Sequence, residues 1–151
     1  MTATQQPDPL GTAPPIGGPS GPRAGFWRRF GAMALDALVI IFAYVPLAAA
    51  FGSDAGSDLG LVFSIAYFTL LEGGATGQTL GKRALGIRVI DLARGGPIGP
   101  GRAFIRLLGR LVSWIPLYLG YLWMLWDREK QTWHDKMAGS VVVPTSVYPV
   151  G

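Results

Sequence analysis

The sequence predicts an all-α membrane protein: two transmembrane helices, a third membrane-embedded or interfacial helical segment, and a small two-stranded ribbon pairing residues 87–91 with 140–144. Half of the 151 residues are apolar and only 15% are charged, which lies outside the range of an ordinary soluble domain. Two apolar runs are long enough to cross a bilayer, and the basic residues are spread unevenly about them.

Residues 1–24 are rich in Pro and Gly with no apolar period, so they cannot bury enough surface to offset the entropy of ordering. A disordered cytoplasmic tail is expected, with a polyproline ligand for a partner domain as the alternative. Residues 25–144 form the membrane domain and 145–151 a C-terminal tail.

From Phe30 to Phe51 the chain is apolar apart from Asp36, and roughly 20 residues suffice for a helix to cross about 30 Å of hydrocarbon. Trp27, Arg28 and Arg29 precede it as an interfacial anchor. Arg28-Arg29 and the Ala48-Ala49-Ala50 end also suggest a cleaved signal, but the run is too long, contains an acid and is followed by more membrane-like sequence. GSDAGSD, with Asp54 and Asp58, is the expected connection. The second run, Leu59–Leu71, spans only if the helix continues through Glu72 to Ala75, which puts Glu72 within or at the edge of the membrane.

Residues 76–91 bring Lys82, Arg83 and Arg88 and belong at the membrane surface. Ile87–Asp91 carries the branched residues of a strand, and Gly95 to Gly101 is rich in breakers. In residues 102–126, Arg102, Arg106 and Arg110 recur every four residues and share one helix face. Such a stripe suits a helix in the headgroup plane binding lipid phosphate. The segment is either one tilted span with snorkelling arginines or a surface helix followed by a re-entrant piece beyond Pro116. Val141–Val143 is the second strand candidate.

Three basic residues precede the first span, none lies between the spans, and seven follow from Lys82 to Arg110. The positive-inside rule then places the N-terminus and residues 76–102 in the cytoplasm. The C-terminal side stays open: a full third span puts it outside, and strand pairing puts it inside.

Asp36 is the first functional candidate, because an ionisable group inside a span costs about 2.5 to 3.5 kcal/mol and is seldom kept without a partner or a role. A structural contact between helices is the plainer alternative. Asp36 lies about 9 Å above Phe30 and Glu72 about 6 Å above Thr76, so the two acids are expected at one level. Such a pair has raised, coupled pKa values unless a cation is near. Arg29 is too far along the helix to bond Asp36 directly, whereas Arg106 or Arg110 could reach in.

Gly77-Gln78-Thr79-Leu80-Gly81-Lys82 falls one residue short of a phosphate-binding loop, and Arg83 replaces its hydroxyl residue, so nucleotide binding is rejected. His134-Asp135 suits either a proton-handling pair or a cap. With no Cys and one His, thiolate metal sites, multi-histidine sites and a serine triad are disfavoured. No cofactor, catalytic residue, metal or enzyme activity is expected, and the net charge of +4 suits anionic lipid.

Arg29 before the first span, Asp36 inside it, Thr79-Leu80-Gly81-Lys82-Arg83 through Gly86-Ile87-Arg88-Val89, Arg102, Arg106, and Gln131 to Ser140 together resemble the RDD family. These bacterial membrane proteins are named for one arginine and two aspartates. The resemblance covers about residues 26–143 and makes Arg29, Asp36 and Asp135 the naming residues. Ser140 and Trp133 are small departures. It implies a multi-pass protein of the bacterial inner membrane, and some similar proteins are described as sodium-proton antiporters.

The leading expectation is therefore a transport or cation/proton antiport component with Asp36, Glu72, Arg29 and Asp135 at its site. Its partners are the bilayer, anionic lipid and a second copy or larger membrane protein, not nucleic acid, because so few spans cannot enclose a pathway. The competing expectation is a membrane adaptor or anionic-lipid-binding accessory protein using Arg102, Arg106 and Arg110, without transport.

Overall fold

The computed structural model describes residues 22–114 and 119–150. Most of the expected tail at 1–24, and Pro116, lie outside them. Helix α1 (Phe26–Phe51) and helix α2 (Ser53–Gly73) form an antiparallel hairpin, and both are long and apolar enough to cross a membrane. Only Ala32 and Asp36 are buried on α1. Leu38, Ile41, Phe42, Val45, Leu61 and Val62 lie exposed along the pair, an arrangement whose natural solvent is lipid rather than water.

The expected 52–58 connection is corrected: Gly52 alone turns the chain, with a positive φ of 84° that favours glycine, and residues from Ser53 onward are already helical. Asp54 in the first turn of α2 complements the helix dipole there. Because the turn is this short, the two helices pack from the start. Gly56 meets the backbone of Ala48 so closely that a Cβ on it would lie 2.4 Å from the Ala48 Cα.

Helix α3 (Leu80–Ala84) folds back onto α1, and strand β1 (Ile87–Asp91) follows. Helix α4 (Gly99–Trp114) packs on α2 and on helix α6 (Trp133–Ala138). Residues 102–126 are not one continuous span: helix α5 (Leu119–Leu122) and a 3-10 turn (Trp123–Leu125) take the chain back toward α6. Strand β2 (Ser140–Pro144) pairs antiparallel with β1, Val89 opposite Val142. The C-terminal segment therefore lies on the same side of the hairpin as residues 76–91.

The ribbon is buried on both faces. Ile87, Val89 and Val142 pack with Ala24, Ala32, Ile98 and Ala103, while Ile90, Val141 and Val143 pack with Tyr148. A strand buried on two sides reads as a continuous apolar run rather than an alternating one, which is the valine pattern at 141–143. The end of the expected N-terminal tail is pinned here: the Ala24 amide donates to the Val142 carbonyl at 2.9 Å, and Arg23 pairs with Glu129.

Candidate functional site

At the base of the hairpin, where α1, α2, α3, α4 and α6 converge, lie three buried carboxylates with different partners. Asp36 is 1% exposed. Its Oδ1 accepts from the Tyr67 hydroxyl at 2.7 Å and the Gly81 amide at 2.8 Å, and its Oδ2 accepts from the Thr79 hydroxyl at 2.6 Å. Thr79 also N-caps α3, and the Tyr67 hydroxyl accepts from the Leu80 amide at 3.0 Å. Any side chain at 81 would drive a Cβ to 2.2 Å from the Ala32 carbonyl oxygen, so glycine is what lets the Gly81 amide reach the acid.

Glu72 has cations instead. Lys82 and Arg110 both pair with its Oε1, and Arg106 Nη1 donates to Oε2 at 2.9 Å. The other side of the Arg106 fork donates to Asp135 Oδ1 at 2.5 Å, and Arg29 Nη1 donates to Asp135 Oδ2 at 2.6 Å. Glu72, Arg106, Asp135 and Arg29 thus form one chain of charge that ties α2 to α4, α6 and α1. A buried charge unpaired in hydrocarbon costs several kcal/mol, which is why these groups meet.

Asp135 also closes a capping box, accepting from the Thr132 amide at 3.2 Å at the start of α6. Burial pushes its carboxyl up, but the Arg106 and Arg29 charges outweigh this and hold it well below the ordinary carboxylate range. Burial pulls the Lys82 ammonium down to about 8, against the opposite pull of Glu72. Burial likewise holds His134 well below its ordinary value, so its ring is neutral at pH 7. That ring shares a 2.9 Å hydrogen bond with the Thr132 hydroxyl.

The expected Asp36–Glu72 carboxyl pair is corrected: the two acids share no partner among the described residues, Asp36 being held by neutral donors and Glu72 by cations. The expected lipid-facing stripe is corrected as well. Arg106 is 1% exposed, and Arg102 turns to Asp91 and to the Ala138 and Gly139 carbonyls. What α4 shows to the outside is Phe104, Ile105, Leu108, Leu111 and Val112. Two buried acids draw the cations inward, and hydrocarbon accepts the apolar face.

Three residues at the site escaped sequence reasoning in this role. Tyr67 and Thr79 are uncharged and carry no signal beyond the cap position of Thr79 before a short helix. Lys82 was expected at the surface and is buried against Glu72.

From the base a cavity of about 730 Å³ opens between α1, α2, α4 and the segment from α5 to α6, with Asp36, Arg29, Lys82, Arg106 and Arg110 among its lining.

The RDD family model matches residues 23–139. A Bacillus subtilis (strain 168) protein described as "Uncharacterized membrane protein YteJ" is 30% identical, with 83% of each chain covered. The proline-rich antigen of Mycobacterium leprae is 39% identical over 71 residues, 47% of this chain and 28% of that protein. A proline-rich antigen homolog of Mycobacterium tuberculosis is 37% identical over 71 residues, again 47% of this chain and 30% of that protein. The chain spans less than a third of the length of these antigens. No solved structure matches. The matched span contains the arginine and two aspartates that the sequence singled out, two of them joined by an ion pair at the base of the hairpin, and the chain belongs to the RDD family of membrane proteins.

Proposed function

We propose that the protein is a transport component of the bacterial inner membrane, its N-terminus cytoplasmic, in which the Asp36 carboxylate exchanges a proton for a cation. The observation that carries this reading is the contrast among the three acids. Among the described residues no cation pairs with Asp36, which lies in a span and on the cavity wall. Two of its three donors are hydroxyls, and a hydroxyl can rotate from donor to acceptor when the carboxyl takes up a proton. The guanidinium donors on Glu72 and Asp135 have no such freedom, so Glu72, Asp135 and Arg29 set the local field rather than exchange. Two spans do not enclose a pathway, so the working unit is a homo-oligomer or a complex with a larger membrane protein.

The test is flux. Purified protein in liposomes holding a pH dye is expected to move protons when Na+ is added, and Asp36→Asn to abolish that movement. Absence of flux in the wild type, or equal flux in the variant, removes the exchange reading. What then stands is the second reading, a membrane adaptor or accessory protein that grips anionic lipid without transport. The exposed cations Arg28, Arg83 and Arg94 at the base favour it.

A further inference from the structure

The cavity has two kinds of wall. Met33, Ala37, Ile40, Ile41, Phe68 and Leu111 make its upper part apolar, and Met33, Ile41 and Leu111 are also exposed outside, so it opens on the lipid-facing surface. Its volume, about 730 Å³, falls within the usual span of ligand sites. The floor is basic: Arg29, Lys82, Arg106 and Arg110 all line it.

These four cations meet two carboxylates, Glu72 and Asp135, and they still outnumber the acids when Asp36 is counted. Two N–H groups of floor residues, Arg29 Nη2 and Arg106 Nε, are buried with no acceptor among the described residues. Buried donors are nearly always satisfied, and a guanidinium is best satisfied by an oxyanion. An apolar chamber open to the bilayer above a floor whose cations outnumber its acids fits one class of ligand, an amphiphile with an anionic head.

We propose that the cavity binds a single anionic phospholipid, its head over the basic floor and one acyl chain along α1 and α4. This rests neither on exchange at Asp36 nor on the surface cations.

The full chain in detergent, titrated with phosphatidylglycerol or with phosphatidylcholine of the same chains and followed by native mass spectrometry, tests it. One phosphatidylglycerol is expected to stay bound under activation that strips phosphatidylcholine. Ala37→Trp fills the chamber without touching an ion pair and is expected to weaken retention about tenfold, roughly 1.4 kcal/mol. Leu70→Trp, on the outer surface away from the cavity, is expected to leave it unchanged. Ile40→Trp, on the same wall, replaces Ala37→Trp should that variant not fold. Equal retention of phosphatidylcholine, undiminished binding in the filled variants, or an equal loss in Leu70→Trp would each overturn the proposal. Displacement by an equimolar amount of inorganic phosphate would assign the floor to the free anion and overturn it too.

Discussion

In the far half of the hairpin, α1 and α2 touch through small residues such as Ala48 and Gly56 and present large apolar side chains outward. At the base the same two helices carry Arg29, Asp36, Tyr67 and Glu72 inward, and five elements gather round them. The far half buries little hydrocarbon against hydrocarbon, since lipid already solvates it. The far half is held by close backbone approach and the base by charge and hydrogen bonds, whose alternative in a bilayer is an unsatisfied polar group. A membrane protein can thus be inside-out at one level and conventionally packed at another, as the apolar cores around the ribbon show.

The contrast breaks most visibly at Arg106. Arg106→Met leaves Glu72 with two cations and Asp135 with one, and removing one partner from a buried charge pair costs about 3 to 5 kcal/mol. A large drop in the thermal transition in detergent is expected, and an unchanged transition would show that the base is not held by charge.

Raising the pH perturbs one member of the same network without deleting an atom, so a smaller response is expected. The Lys82 ammonium has its value lowered from 10.5 to about 8. Between those two pH values the unfolded chain binds more protons than the folded one, so Lys82 makes stability rise with pH across that window. Lys82→Met should lose this rise, and a variant with the wild-type slope would refute the assignment.

In the far half, Gly56→Val pushes a side chain into the Ala48 backbone, and overpacking of this kind costs about 1 to 3 kcal/mol. The base should survive it. Cysteine crosslinking between α1 and α4 in the Gly56→Val background is expected to match the parent, and a loss of crosslinking would show that the two halves are one cooperative unit.

The hairpin was legible because length and apolarity suffice for a span, and the ribbon because Ile87–Asp91 and Val141–Val143 are branched runs bounded by turn residues. The direction of the arginine stripe was not. A period of four tells which residues share a face and not whether that face looks inward. The habit carried over from water, that cations look outward, fails where the exterior is hydrocarbon. The Arg29–Asp135 contact, 106 residues apart, was beyond any local pattern. The family resemblance marked both residues without saying that they meet.

That separation has a consequence for how the protein is made. Arg29 enters the translocon early, while Asp135 is still to be translated; at about 5 to 20 residues per second the interval between them is roughly 5 to 20 s. For that time Arg29 must be held against water or headgroups, without the acid of α6. The base is therefore the last part of the molecule to close, and translation of α6, rather than insertion of the first span, is the step that gives Arg29 and Arg106 their shared acid.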